Sequence, residues 1–536
     1  MHILQGMIAG NGILFLQRIA LCRDTLQMDA RQCQILSIIS FCPWSLRGIF
    51  SVFFLWLNKK SLFAMGKGTK DNMNAWNLNL NEVVILISTI LAIVVLIMLG
   101  IQKNHGLTSL LLFLLNSCIC MLEVVYGGIY TRYAIKRNNG NTNETKNKSL
   151  WYKILGFFLS YMGEGGESLV YGTSVLIQVG SAISSTFVGE ISQNGNPQTL
   201  FFISAGLISL NFVVIFFRLL QNEIPTNTGD DAESTSDHSF RFMAIMVAVL
   251  AVANAVINSV VDNTTISFAV SLFSFFLVLF VNLDLRTLLG LAKSYRQIQN
   301  KEDDPNDLQK YYMLFSTVIF VQIVFYVNIA SAEAFYFTEM SCEKAGTPRL
   351  TYMQYVFYGA VVSACSRVVG VYIFGKFFDV RLSTGSASIQ KYLSMFIVVG
   401  FIQLSASSLD LVVPFKIFEG IYISSVVLIF FFLSYCVIGP MCSSIFYLPS
   451  ALLIPKIIGS RASVIGFATI SSIQSFCLVV SAQIGLYSIE LSSIQTNGIC
   501  DFCSMGFLMA AAHLAIPLCA QFFFYILRRT NNKKTN

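Results

Sequence analysis

Apolar runs of about 20 residues, the length at which a helix crosses a bilayer, recur along the whole chain. About fourteen can be marked, at 3–21, 34–57, 82–101, 107–131, 168–191, 199–220, 241–260, 265–283, 312–337, 351–378, 390–408, 417–439, 461–488 and 504–527. Only a structure that satisfies its own backbone hydrogen bonds survives where no water reaches, so such a chain folds as a bundle of spanning helices. The expected fold class is all-α, a polytopic membrane protein. A shorter run, Leu150 to Met162, reads as an interfacial piece or an extension of the fifth helix.

Of the 536 residues, 55% are hydrophobic and 12% charged, against about a quarter charged in soluble domains. The net charge of +7 does not point to nucleic acid, because the lysines and arginines sit in the loops between apolar runs. The thirteen cysteines lie mostly inside apolar runs, where they act as small hydrophobes. Cys500-Asp501-Phe502-Cys503 is a single CxxC, a weak sign of either a metal ligand pair or a disulfide. His2, His105, His238 and His513 are far apart in sequence, so neither a metal site nor a cofactor is expected. No basic n-region or small-residue cleavage site marks a removable signal peptide.

Loop charge sets the orientation. Lys59, Lys60, Lys67 and Lys70 follow the second run, and Arg132, Lys136, Arg137, Lys146 and Lys148 follow the fourth. Arg286, Lys293, Arg296 and Lys301 follow the eighth, Arg381 and Lys391 the tenth, and Lys456 the twelfth. Arg528, Arg529, Lys533 and Lys534 close the chain, whereas 192–198, 262–264 and 491–500 carry almost no basic residue. The alternation places both termini in the cytoplasm. An acidic Ser/Thr-rich stretch, Asn222 to Asp237, reads as a linker between two halves. The sequons at Asn143 and Asn147 then face the cytoplasm and stay unmodified, while that at Asn263 faces outward close to the membrane.

One run is unusual. Phe41 to Lys60, FCPWSLRGIFSVFFLWLNKK, carries Pro43 and Arg47 inside an apolar helix and ends on paired lysines. Charge at membrane depth is costly, so Arg47 is expected to face protein or a water-filled cavity. The tenth run ends in a similar basic turn, Gly375-Lys-Phe-Phe-Asp-Val-Arg381. Two halves with matching turns are the mark of a repeat-built secondary transporter.

The segment from Asp24-Thr-Leu to Arg47, with Pro43-Trp44-Ser45-Leu46-Arg47 at its centre, resembles the folate-biopterin transporter family of the major facilitator superfamily. Gly180 to Gly189, then Asn196-Pro197-Gln and Phe201-Phe-Ile, resembles that family's fifth and sixth helices. Glu333-Ala-Phe-Tyr-Phe337, then Tyr372 to Lys376 and Arg381, resembles the start of its second half. Leu448-Pro449, Ile454-Pro455 and Gly459 to Thr469 resemble its penultimate segment. The resemblance covers nearly the whole chain in order, and departs where Leu55, Gly127 and the Arg461–Ala462 region stand in place of acidic residues.

The resemblance implies a major facilitator-type two-half helical bundle with an extra central helix pair. Residues 1–220 form the first six-helix half, 221–240 an acidic linker, and 241–283 the extra pair. A second linker occupies 284–311, the other six-helix half 312–527 and a basic tail 528–536. The implied substrate is folate, biopterin or a related anionic solute, moved by alternating access, with proton coupling as a possible drive. Such a ligand needs aromatic faces for its ring and a cation for its carboxylates, for which the planar fork of arginine serves best.

The candidate intramembrane charges are Arg18, Arg47, Arg367 and Lys416 for cations and Glu123, Glu333 and Glu419 for anions. Arg367, flanked by apolar residues on both sides, is the preferred substrate cation; the alternative is an internal ion pair that fixes packing. Arg47 lies nearer the cytoplasmic end, where snorkelling also explains it. Glu123 and Glu333 are candidates for a proton relay. Trp44, Tyr126, Phe335 and Tyr336 are singled out by their place beside these charges. The expected substrate-binding set is Arg367, Arg47, Trp44, Glu123, Glu333 and Tyr336. Gly163-Glu-Gly-Gly-Glu167 is not a phosphate loop, since its glutamates repel phosphate and no GK[ST] follows. The small residues of 180–189 and 460–475 serve close helix packing.

The expected partners are a small-molecule substrate and the lipid bilayer, with the plasma membrane as the default location. Two other classes remain. A membrane-embedded enzyme needs a nucleophile–base pair or metal cluster, and neither is visible. A transport-incompetent relative, serving as a receptor or scaffold, fits the missing acidic positions.

Overall fold

The computed structural model describes residues 2–8, 12–65, 80–138, 166–217, 235–261, 263–288, 316–338, 348, 350–378, 386–415, 429–494, 496 and 501–535. Every regular element among them is a helix. We number the principal ones α1 (His2–Ile8), α2 (Ala30–Phe41), α3 (Arg47–Met65), α4 (Leu80–Ile101), α5 (His105–Asn138), α6 (Gly166–Gln193) and α7 (Thr199–Ser209). They continue as α8 (Thr235–Val260), α9 (Thr264–Leu288), α10 (Ala330–Thr338), α11 (Gly359–Ile373), α12 (Ser386–Asp410), α13 (Gly439–Leu491) and α14 (Ile516–Thr535).

Eleven described helices are long and apolar enough to cross a membrane, and two shorter apolar ones, Thr199–Val213 and Ser394–Asp410, accompany them. The first expected span, 3–21, is instead a string of short pieces: α1, Ile13–Leu16, Arg18–Ala20 and a π-helical turn at Leu21–Thr25. The extra pair is longer than expected, starting at Thr235 and ending at Leu288. Lys416, Glu419, Leu150 to Met162 and most of both linkers lie outside the described residues.

Pro43 explains the form of the second span. It lacks an N–H and its ring crowds the carbonyl four residues back, so Cys42–Leu46 tightens into a 3₁₀ turn between α2 and α3. The paired Lys59 and Lys60 close the apolar window at Leu57 but do not end the helix, which runs on to Met65. Lysine is a good helix former once the chain has reached water.

In lipid, helices associate through close packing and internal hydrogen bonds rather than hydrophobic burial. Gly6 of α1 and Gly180 of α6 show this. A Cβ on Gly6 would fall 1.9 Å from the Ile177 carbonyl oxygen, and one on Gly180 2.1 Å from that of Ile3. The bare backbones therefore pack directly against each other. The two halves meet along two seams, α2 and α3 against α13, and α6 against α11. The extra pair lies over the first seam: α8 packs on α2, α3 and α13, and α9 packs on α8 and α13. Inside that pair Asn254 accepts a hydrogen bond from Ser271 (2.5 Å) and donates to the Leu250 carbonyl (2.8 Å).

α13 unites two spans that the sequence pattern separates, Ile429–Leu448 and Ala468–Leu491.

Candidate functional site

The span Ser316–Thr338 is broken at residues 326–329, which are not helical. A break at membrane depth exposes backbone groups that neighbours must satisfy. Gln34 of α2 donates to the Asn328 carbonyl (2.7 Å), and the Asn328 N–H donates to Ser481 Oγ of α13 (3.1 Å). Ser481 in turn donates to the Tyr326 carbonyl (2.6 Å), and Asn328 Oδ1 caps the Ala330 N–H (3.1 Å). A Cβ on Gly485 would lie 2.0 Å from Asn328 O, so glycine lets α13 approach the break. The device aims α10, with Glu333, into the second half.

Three of the expected site residues come together in the first half. Arg47, at the start of α3, forms an ion pair with Glu123 of α5 and donates to Ser471 of α13. Its guanidinium lies over the Trp44 ring, 4.4 Å from the centroid, as a cation–π contact requires. Trp44 Nε1 donates to Asn116 Oδ1 (3.1 Å), and Gln5 Nε2 donates to Glu123 Oε1 (2.6 Å). Beside the pair, the Gly48 N–H donates to Ser472 Oγ (2.6 Å), which ties α3 to α13. Tyr447 interacts with both charges yet keeps 55% of its surface exposed.

The other three separate. Glu333 is 3% exposed and contacts the imidazole of His513, Nδ1 to Oε1 3.3 Å, not an arginine. Asp410, at the end of α12, interacts with Ser434, His513 and Glu333. Tyr336 packs edge-on against Phe337 and Phe502 (centroids 5.3 and 5.4 Å). Arg367, on α11, points at the other half and donates to Gln178 Oε1 of α6 (3.4 Å). It also interacts with Tyr435, which is 37% exposed. From Tyr435 an aromatic column runs inward: it stacks on Phe431 and Tyr355 (5.1 and 6.2 Å), and both rings contact Phe337 (5.0 and 6.2 Å).

Of the remaining candidates, Arg18 lies over the rings of Phe15 and Phe41 (5.0 and 5.7 Å) and serves packing. Tyr126 donates to Asn211 (3.2 Å), and Phe335 is enclosed in the core. Cys500 lies outside the described residues. Cys503 is exposed, and its N–H donates to Asp501 (2.9 Å), holding that carboxyl below the usual carboxylate range. Among the described residues, no group of three His, Cys, Asp or Glu side chains is placed to hold a metal ion.

Sequence reasoning passed over Asp410, His513, Tyr355 and Tyr435. Asp410 and His513 had a signal, since each is an ionisable residue inside or at the edge of an apolar run. The tyrosines had none beyond their abundance.

At one end of the bundle the halves also touch. Arg23 donates to the Thr338 carbonyl (2.8 Å) and lies over the Tyr352 ring (4.7 Å), and Tyr352 donates to Asp24 (3.0 Å). The Ala30 N–H donates to Thr496 Oγ1 (3.0 Å).

The profile described as the BT1 family matches residues 5–536. No curated protein matches the chain. Among solved structures, an auto-inhibited POT family peptide transporter aligns over 98% of this chain and 96% of its own, at 11% identity and a TM-score of 0.58. A peptide transporter POT in complex with sulfate aligns over 99% and 94%, at 12% identity and a TM-score of 0.57. A mutant form of a peptide transporter POT aligns over 96% and 92%, at 12% identity and a TM-score of 0.55. At such identities the likeness concerns the fold, which is of the major facilitator type.

Proposed function

The chain belongs to the BT1 family of major facilitator-type transporters, and from that premise we propose that it carries folate, biopterin or a related anionic organic solute. The protein works in the plasma membrane with both termini in the cytoplasm, and a proton gradient drives it. Membrane transport itself follows from the family; substrate, drive and location are our reading.

One observation carries the choice of substrate. Arg367 projects from the second half toward Gln178 of the first, beside the partly open ring of Tyr435. A guanidinium can hold a carboxylate by two parallel hydrogen bonds, an amide can read a ring edge, and an open phenol ring can stack on a planar heterocycle. Because Arg367 and Gln178 belong to opposite halves, a ligand between them is gripped when the halves close and released when they part. This supports alternating access about a site near the midplane.

The contacts of Arg23 and Asp24 with Thr338 and Tyr352 join the halves at one end. They must break whenever the site opens there. The Arg47–Glu123 pair, reaching Ser471, sits further along the seam and is the corresponding joint on the other side.

The test is uptake of labelled folate, biopterin, a nucleoside and a dipeptide into cells expressing the protein. Saturable uptake of a pterin compound, competed by carboxylate-bearing analogues and not by their esters, supports the reading. Uptake of the nucleoside or dipeptide instead refutes the substrate class. Surface expression with no uptake favours a receptor or scaffold.

A further inference from the structure

Five side chains from five stretches of the second half converge on one region. Glu333 comes from α10, Asp410 from the end of α12, Tyr355 from a turn at Met353–Tyr358, Tyr435 from Phe432–Ile438, and His513 from Ala511–Ala515. The last three stretches are all π-helical turns. Such turns sacrifice regular hydrogen bonding to redirect side chains and collect at functional sites. Glu333 begins its helix immediately after the 326–329 break, a fourth local departure serving the same spot.

The groups interact. His513 Nδ1 is 3.3 Å from Glu333 Oε1, and Asp410 interacts with both. Tyr355 and Tyr435 interact with each other and with Glu333. Among the described residues His513 is the one basic side chain in contact with Glu333. On the other faces, the α2 neighbour of α10 brings the Cys33 thiol to Ser331, and Arg18 stays over Phe15 and Phe41. Arg367 reaches Tyr435 and Gln178.

Counting charge decides what the cluster can do. With both carboxylates ionised and the imidazole protonated it carries one net negative charge, which a membrane interior penalises. One further proton makes it neutral. The singly anionic and the neutral forms are thus one proton apart.

We propose that Glu333, Asp410 and His513 form the binding site of the coupling proton, one per transport cycle, and that the Tyr355–Tyr435 pair links it to Arg367. The proposal rests on the transporter reading and deepens it. The proton comes from water on the side to which the cavity opens and returns to water on the other side. Tyr435 interacts with both Arg367 and Glu333. An anion arriving at Arg367 adds negative charge nearby and strengthens proton binding, and by linkage the proton strengthens anion binding to the same degree.

The experiment uses the purified full chain in liposomes with the membrane potential clamped. One coupled proton then supports about tenfold accumulation of labelled folate or biopterin per unit of pH gradient. Wild type is expected to reach that ratio, while Glu333→Gln and Asp410→Asn collapse it toward unity relative to their rate of exchange. Accumulation by both variants at the wild-type ratio overturns the proposal. A second arm needs no transport: infrared titration of the detergent-purified protein from about pH 5 to about pH 9. A carboxylic-acid signal that titrates in wild type and is lost in Glu333→Gln or Asp410→Asn supports the site even if neither compound is a substrate. A signal unchanged in both variants overturns it.

Discussion

Removing either member of the Arg47–Glu123 pair leaves the other charge enclosed, and the structure sets the scale of the cost. Both side chains are mostly enclosed, 21% and 16% exposed. Taking one partner from a buried pair leaves an uncompensated charge and costs about 3–5 kcal/mol. Glu123→Leu leaves the arginine, which cannot shed its proton, with Ser471, Cys120, Tyr447 and the Trp44 ring. The ring contact offsets about 0.5–2 kcal/mol, so a net loss of about 1–4.5 kcal/mol is expected. Arg47→Met leaves an enclosed carboxylate with the Gln5 donor at 2.6 Å, and a loss of about 3–5 kcal/mol is expected there too. The double variant is expected to lose less than the two single losses added, by about 1–3 kcal/mol. Unfolding by SDS in mixed micelles measures this. Additive losses would refute the pairing argument.

The remaining predictions concern the break and the orientation. Gly485→Ala places a methyl 2.0 Å from the Asn328 carbonyl oxygen, an overpacking of about 2–3 kcal/mol in the same unfolding assay; an unchanged midpoint would show that α13 does not rest on the break. Gln34→Leu removes a donor from that carbonyl and is expected to cost about 1–3 kcal/mol. Epitope tags at either terminus are expected to be reached by antibody only after cells are permeabilised, and staining of intact cells would reverse the assigned orientation.

Much of the bundle was legible in the sequence because hydropathy over about 20 residues reports spanning directly. Arg47 and Glu123 were legible for a related reason: a charge inside an apolar run must find a partner, and these found each other. Glu333 was seen on the same ground, but its partners His513 and Asp410 lie on helices far away in the chain, where no spacing rule reaches them. Tyr355 and Tyr435 depend on π-helical turns, which have no fixed sequence signature. The break at Tyr326-Val-Asn-Ile329 holds neither glycine nor proline; its support comes from Gln34, Ser481 and Gly485, each on another helix. Lys59 and Lys60 marked the end of the apolar window but not of the helix, since hydropathy records where lipid stops rather than where hydrogen bonding stops.

The central claim is that Arg367 meets the anion between the halves. The most direct measurement is uptake of labelled folate and biopterin by wild type beside Arg367→Ala and Arg367→Lys, at matched surface expression. The account predicts saturable wild-type uptake, a loss of at least about tenfold in kcat/KM for alanine, consistent with about 1.5–3 kcal/mol for a charged hydrogen bond, and partial rescue by lysine. Uptake by Arg367→Ala equal to wild type would contradict it.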